Sequence, residues 1–293
     1  MTIGDIERSP AAELAAQAGL TPIGRRPSLF AYIASIWERR YFLAAFARSR
    51  LTADNSESRL GQLWQVLNPL LNAGVYYLIF AVVLKTTSSI DNYVPFLITG
   101  VFIFGFTQRV IVTGSKAITG NIGLVRALHF PRAVLPLATV WEELLKTGTS
   151  LAVLSVIVLA YREPLTWNWL QLPVVIFLQL LFSAGVALAF ARLTASISDV
   201  AQFLPFAMRI WMYLSGVMYS ISAFISRHDG QEWVVVLLQI NPAAVYIQLA
   251  RGSVMKSAPA AVTDWYLGIA WAVVAFVIGF VFFWRAESSY GRG

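Results

Sequence analysis

Residues 60–84, LGQLWQVLNPLLNAGVYYLIFAVVL, run for 25 positions without a single charge. A helix needs ~20 apolar residues to cross the hydrocarbon core of a bilayer. Inside lipid the backbone must also satisfy its own polar groups, which a helix does and an irregular chain does not. No other kind of segment constrains the fold as tightly, and five more follow it. Residues 94–113 are interrupted only by Arg109, and residues 134–160 contain Glu142, Glu143 and Lys146. Residues 168–191 are uncharged, 203–221 hold Arg209, and 265–284 are uncharged up to Arg285. The pattern predicts an all-α integral membrane protein with six transmembrane helices. Because the first apolar run starts near Leu60 and is too long for an h-region, a cleavable signal peptide is not expected.

Composition excludes the soluble alternative. Charged residues make up 13% of the 293, against 58% hydrophobic, where a soluble domain carries about a quarter charged. Cysteine is absent and only His129 and His228 represent histidine. Disulfides, thiolate sites and multi-histidine metal centres are therefore excluded. The net charge of +7 is placed as a topology signal, not as a nucleic-acid footprint, so no nucleic-acid partner is expected. With six spans and an inner N-terminus, fourteen Lys and Arg fall on the cytoplasmic side and five outside. This bias predicts a multi-pass protein with both termini cytoplasmic.

The segment 229–258 contains a stretch, WVVVLLQINPAAVYIQLA, with Asn241-Pro242 at its centre. Proline disfavours helical backbone in the residue before it, and each half is too short to cross alone. The favoured reading is a pair of short re-entrant or interfacial helices between spans five and six; a seventh span is the alternative. A seventh crossing would move Arg285 and Arg292 outside, against the charge bias.

Ahead of the first span, residues 1–28 read as a mobile cytoplasmic tail punctuated by proline and glycine. In 29–58, Leu29, Tyr32, Ile33, Ile36, Tyr41, Leu43 and Phe46 alternate with Arg39, Arg40, Arg48 and Arg50 at roughly helical spacing. An amphipathic, arginine-rich interface helix of this kind suits the headgroup plane, arginines toward phosphates and aromatics toward acyl chains. A helix packed on a partner fits the same pattern. The loop 114–133 is unusually apolar for a connector. Leu124, Val125, Leu128 and Phe130 are suited to a groove, Arg126 and Arg132 to solvent or acids, and Pro131 halts the segment. Docking on a partner and an ordinary solvated linker both fit.

Arg109, Glu142, Glu143, Lys146 and Arg209 are costly in a bilayer, at roughly 2.5–3.5 kcal/mol each if unpaired at mid-helix. Arg109, Glu142, Glu143 and Arg209 lie in the cytoplasmic half of their spans at similar height, and Glu142 and Lys146 are i,i+4 neighbours. They are expected to form one protein-facing cluster in which Glu143 takes Arg109 or Arg209. An ion pathway is the alternative. Aromatic residues also lie within the spans: Tyr76, Tyr77 and Phe80 in the first, Phe102 and Phe106 in the second, Trp211, Tyr213 and Tyr219 in the fifth. Their faces suit the C–H faces of sugars; lipid contact and core packing suit them equally. No GxxxxGK[ST] sequence occurs, so ATP hydrolysis is not expected in this chain. HExxH and GxSxG are also missing, which points to a non-catalytic transport or channel subunit.

The segment RLGQLWQVLNPLLNAGVYYLIFAVVLK (59–85) resembles the opening span of ABC-2 type permeases. The likeness is greatest to the group exporting lipid-linked polysaccharides: O-antigen, teichoic acid and galactan exporters. There a basic amphipathic helix precedes a GxLWxxLxPL start, here Gly61, Leu63, Trp64, Leu67, Pro69 and Leu70. The loop after span two resembles the family's coupling loop, with Asn121, Leu124, Val125, His129, Phe130 and Pro131 in order, and Arg126 among them. Residues 240–251, holding Asn241, Pro242, Tyr246 and Arg251, resemble its periplasmic gate helices. The resemblance covers about residues 29–290. It implies a homodimer in the plasma (inner) membrane bound to two copies of a separate ATPase subunit, with ATP and Mg on that partner and no cofactor in this chain. It also implies a lipid-linked polysaccharide cargo passing along the tyrosines, Trp211 and Gly216. The alanine- and arginine-rich composition is similar to actinobacterial members, for which the cargo would be cell-wall galactan on a polyprenyl diphosphate.

Overall fold

A computed structural model describes residues 28–56, 63–83, 90, 92–128, 130–221 and 232–290. The expected tail, Gly61 of the opening motif, His129 and positions 229–231 lie outside these. The described residues are all-helical. Helix α1 spans Leu29–Glu38 and α2 spans Arg40–Ser56. The expected single interface helix is thus two, broken at Arg39, whose backbone N–H closes the last turn onto Ile36 and Trp37. Ser28 caps the start, accepting from the Ala31 N–H, as serine does at a helix N-terminus.

Helix α3 runs Leu63–Tyr77 and continues as a π-helical turn, Leu78–Val83. Helix α4 covers Tyr93–Ser115; a 3-10 turn, Thr119–Asn121, leads into the short α5, Ile122–Ala127. Helix α6 is Val134–Ala160, and α7 is Leu172–Ser196, entered through a 3-10 turn at Trp167–Gln171. Helix α8 is Val200–Leu214, α9 Glu232–Ile240, α10 Pro242–Val254 and α11 Val262–Arg285. Five segments are long and apolar enough to cross a membrane: Val66–Val83, Tyr93–Ser115, Val134–Ala160, Trp167–Ser196 and Val262–Arg285.

The expected fifth span, 203–221, differs. Its helix is α8, 15 residues long and so ~22 Å at 1.5 Å per residue. It stops because the chain turns at Gly216, where φ is +63°, a conformation that glycine adopts without steric cost. By length and composition the described residues therefore supply five spans, not six.

Helix α4 is the centre of the bundle, 72% of its apolar window buried. It packs on α6, α7, α3, α10 and α8. Helix α7 in turn lies closely against α11. Gly185 of α7 and Gly279 of α11 meet backbone to backbone, with no room for a Cβ on either. Small residues at a crossing let membrane helices approach closely enough for van der Waals packing to hold them. By contrast only 6% of the Val66–Val83 window is buried, leaving α3 as an outer helix.

The candidate gate is a hairpin. Asn241 separates α9 from α10, its Oδ1 accepting from the Ala243 N–H at 3.1 Å, and Pro242 opens α10, where its missing N–H costs nothing. Trp271 Nε1 donates to Ile240 O at 2.8 Å. Trp271 is nine residues into α11, so the hairpin's tip lies ~14 Å along that helix. Tyr246 Oη donates to Gly268 O at 2.8 Å and fixes α10 along α11.

Candidate functional site: a lateral cavity beside an ion-pair network

Four ends cluster at one pole of the bundle: α2, the loop around α5, the start of α8 and the end of α11. There α4 ends and α6 begins, and the intramembrane charges sit just inside. Glu142 lies eight residues into α6, Arg109 six from the end of α4 and Arg209 nine into α8, ~9–14 Å deep. Glu142 accepts from Lys146 Nζ at 2.6 Å and pairs with Arg50 Nε at 3.1 Å. Glu143 pairs with Arg109 Nε at 3.2 Å and Lys146 Nζ at 3.3 Å. The result is a continuous chain, Arg50–Glu142–Lys146–Glu143–Arg109, joining α2, α6 and α4. Both carboxylates are buried, and buried charge is tolerated when it is paired and hydrogen-bonded in this way. Between the two arginines expected to meet Glu143, the structure pairs Arg109.

Arg209 is not in that chain. Among the described residues it makes no ion pair or hydrogen bond; it lines a cavity of about 570 Å³. Helix α4 forms the floor with Gly105, Gln108 and Arg109. Helix α3 supplies one wall with Trp64, Asn68, Asn72 and Tyr76, and α8 the other with Pro205, Arg209, Met212 and Tyr213. Tyr76 Oη leans across to Met212 Sδ at 3.8 Å. The cavity opens sideways between α3 and α8, where Trp64 and Tyr213 are exposed. Asn68, Asn72, Gln108 and Arg209 would be costly against lipid tails, so this opening suits water, cargo or another protein.

Of the aromatics expected on a path, Tyr76 and Tyr213 line this cavity. Phe102 and Phe106 do not: they are buried in the core, because α4 is surrounded on all sides. Trp211 also turns inward, donating Nε1 to Asn241 Oδ1 at 2.8 Å and meeting Phe104 edge-on at 5.9 Å. Tyr77 stands 6.2 Å from Tyr93, Phe80 packs against the main core, and Tyr219 is half-buried beyond α8. Gly216 is no path residue either. It sits in a buried turn, its carbonyl accepting from Arg251 Nη1 at 3.0 Å.

In the loop, Val125 faces inward, buried with Tyr32, Ala117, Ile118 and Leu135, so it anchors the loop and presents nothing outward. Leu124 and Phe130 are partly buried against the same cluster, and Phe130 meets Phe42 of α2 at 5.8 Å. Asn121 Nδ2 donates to Ala117 O at 2.8 Å. Outward lie Ile122, Arg126 and Leu128; Pro131 O accepts from the Val134 N–H. Among the basic residues of α1 and α2, Arg39, Arg40 and Arg48 are exposed. Arg40 stacks on Tyr41 at 4.4 Å. Arg50, expected to face headgroups, instead reaches Glu142, since α2 packs along α6.

Two buried acids went unremarked in the sequence. Glu287, just past α11, accepts from Tyr32 Oη at 2.6 Å and from the Arg132 N–H at 3.0 Å. Arg132 Nη1 bonds the Glu287 carbonyl, and Tyr32 Oη accepts from the Ala133 N–H at 3.1 Å. Burial pushes the Glu287 carboxyl above its ordinary 4.5, with Tyr32 and Arg132 pulling it partly back. Burial, with Glu287 beside it, raises the Tyr32 phenol well above its ordinary 10. At the other pole, Glu163 accepts from Asn92 Nδ2 at 2.6 Å and from the Lys256 N–H at 3.1 Å. Each acid lies a few residues beyond a helix end, where helical periodicity offers no signal.

Among the described residues no group of three His, Asp or Glu is placed to hold a metal. A multi-pass helical bundle with a polar lateral cavity and a folded loop at one pole defines a membrane permease. The family model described as ABC-2 type transporter matches residues 42–255, and the chain belongs to that family. It is a membrane permease of the ABC-2 type. Over 207 residues it is 28% identical to the O-antigen export system permease protein RfbA of Klebsiella pneumoniae, covering 70% of this chain and 76% of that protein. It is 27% identical over 210 residues to the RfbA protein of Myxococcus xanthus, covering 72% and 78%. Against the polysialic acid transport protein KpsM of Escherichia coli it is 24% identical over 202 residues, covering 67% and 74%.

Proposed function

We propose that this chain is the transmembrane subunit of an ATP-driven exporter that moves polyprenyl-diphosphate-linked polysaccharide outward across the plasma membrane. Two copies would pair through the α3 and α8 faces. Two copies of a separate ATPase, carrying ATP and Mg, would dock beneath at the pole of α1, α2 and α5. Helix α8 with residues 215–221 would complete a sixth crossing, both termini would be cytoplasmic, and the α9–α10 hairpin would be a periplasmic re-entrant gate.

The observation that carries the reading is the polar cavity between α3, α4 and α8. A helix bundle that served only as a lipid-embedded scaffold has no use for Asn68, Asn72, Gln108 and Arg209 on a lateral opening. A saccharide cargo does, because amides bond hydroxyls while Trp64, Tyr76 and Tyr213 offer flat faces to C–H groups. Membership of the ABC-2 type transporter family and the names of the polysaccharide-exporting relatives support the same conclusion. Galactan is the particular glycan we favour. Depleting the protein should make lipid-linked glycan accumulate on the inner leaflet, read by radiolabelled lipid extraction and surface glycan staining. Undiminished surface glycan after depletion would refute export, and accumulation of another amphiphile would redirect it to a lipid or drug.

A further inference from the structure

The ion-pair chain that joins α2 to the cavity is built of shared links. Glu142 accepts from Arg50 Nε on Oε2 and from Lys146 Nζ on Oε1. Glu143 is divided in the same way, Oε1 to Lys146 and Oε2 to Arg109 Nε. Lys146 thus stands between two carboxylates, at 2.6 Å from Glu142 and 3.3 Å from Glu143. The middle of the chain is closed and its ends are open. Both glutamate side chains are 4% exposed and Lys146 is 12% exposed, against 37% for Arg50 and 32% for Arg109. Arg50 belongs to α2, outside the five long apolar segments, and Arg109 borders the cavity. Glu143 holds Arg109 through Nε, while Nη1 lies over Gly105 on the cavity floor, 3.2 Å from where a Cβ would stand.

We propose that Arg50 and Glu142 are positioning residues for the cavity, acting through Lys146 and Glu143 on Arg109. With Arg50 seated, Glu142 is partly neutralised and Lys146 shares its charge with Glu143. Glu143 then holds Arg109 weakly, and the guanidinium lies on the cavity floor. When α2 draws Arg50 away, Lys146 is pulled toward Glu142. Glu143 is left to Arg109, which it draws off the floor. The sign follows from competition for carboxylate charge, which is strong where the local dielectric is low. Seating α2 makes the cavity more positive, and lifting it makes the cavity less so. Lys146 is the two-position element that both ends bias. The proposal rests on the export reading only for what would move α2, the ATPase docked beneath it.

The absence of cysteine makes an introduced thiol unique. Asn72→Cys places one on the α3 wall of the cavity, in the full chain purified in detergent with neither ATPase nor cargo. Its rates of reaction with an anionic and a cationic methanethiosulfonate, taken as a ratio, read the potential in the cavity. Arg50→Gln should lower the anion-to-cation ratio at least about threefold, because a change of about half a kT acts on the two reagents in opposite senses. Arg50→Lys should fall between Arg50→Gln and the parent. Arg48→Gln, which removes the same charge from an exposed neighbour on α2, should leave the ratio unchanged. In a Glu142→Gln background, Arg50→Gln should have no effect, since its link is gone. A field acting through space would shift the ratio equally in both backgrounds. That additivity would overturn the relay, as would a parent-like ratio in monodisperse Arg50→Gln. Where Arg50→Gln does not fold, a parent-like ratio in Arg50→Lys would overturn it in the same way. Glycan export undisturbed by depletion would remove the export reading and leave the relay standing.

Discussion

Arg251 is surrounded by carbonyls and has no carboxylate partner among the described residues. Its Nε, Nη1 and Nη2 donate to Phe96, Gly216 and Val217 at 3.2, 3.0 and 2.9 Å, and its guanidinium lies 3.3 Å over the Phe96 ring. One side chain therefore ties α10 to α4 and to the turn after α8. Arg251→Met would leave the Gly216 and Val217 carbonyls in a dry interior without donors, at ~1–3 kcal/mol each, while the Phe96 carbonyl keeps its helical bond within α4. A destabilisation of at least about 2 kcal/mol is expected, read as a lowered thermal midpoint in detergent. Arg251→Lys should recover only part, since an ammonium cannot fork to three acceptors in a plane. An unchanged midpoint in Arg251→Met would mean that those carbonyls find other donors.

The Tyr32–Glu287 pair makes a second residue-scale prediction. Because burial raises the carboxyl of Glu287 in the folded protein, folding favours its protonated form. Its contribution is full below the ordinary 4.5 and fades as pH rises through the elevated folded value. The contact between the C-terminal segment and α1 should thus loosen from about pH 4.5 upward. Amide protection at residues 286–290, corrected for the intrinsic base-catalysed exchange rate, should fall across that range in the parent, and Glu287→Gln should flatten the trend. Tyr32 stays neutral throughout, its phenol being displaced upward. An equally steep fall of corrected protection in Glu287→Gln would assign the pH response to another group.

At the scale of elements, the loop between α4 and α6 is a folded knob with an inner and an outer face. Val125 is the pin and Arg126 with Leu128 the display. Val125→Ala should lower stability by about 1–3 kcal/mol through the cavity it leaves. Arg126→Glu combined with Leu128→Ala should reduce permease-stimulated ATP hydrolysis by the proposed ATPase partner at least tenfold in protein that remains monodisperse. Full stimulation in the double variant would move the docking surface elsewhere. The sequence made this loop visible by its apolar content, yet could not tell Val125 from Leu128, because a six-residue helix has too few turns for periodicity to assign faces. Length served the long helices well: 134–160 is the helix Val134–Ala160 because a chain that crosses lipid must be apolar or paired along its whole run. Asn241-Pro242 marked the hairpin's break for a local steric reason. What escaped were features set by distant contact, such as the end of α8 at Gly216 and the inward turn of Phe102, Phe106 and Trp211. Hydropathy treats a buried phenylalanine and a lipid-facing one alike.

For the whole molecule, the distribution of buried surface is lopsided. Helices α4 and α7 are enclosed while α3 and its π-helical extension present Leu67, Leu71, Val75, Leu78 and Val82 outward. Apolar exposure alone says little in a bilayer, where lipid tails satisfy it. The distinction is that α3 and α8 flank a polar opening that a second protomer would close, whereas the exposed face of α6 around Val156 is apolar. The absence of cysteine makes the comparison clean, because any thiol introduced is the only one present. In native membranes, Leu71→Cys should form a disulfide-linked dimer under mild oxidation, and Val156→Cys should not. A disulfide requires Cα atoms within about 7 Å, so only a true two-fold contact along α3 gives a strong band. A scan from Leu67 to Val82 should then show a helical period in cross-linking, strongest on the face that borders the cavity. Equal cross-linking at Val156, or none anywhere along α3, would place the protomers back to back through some other surface and leave the cavity open to lipid.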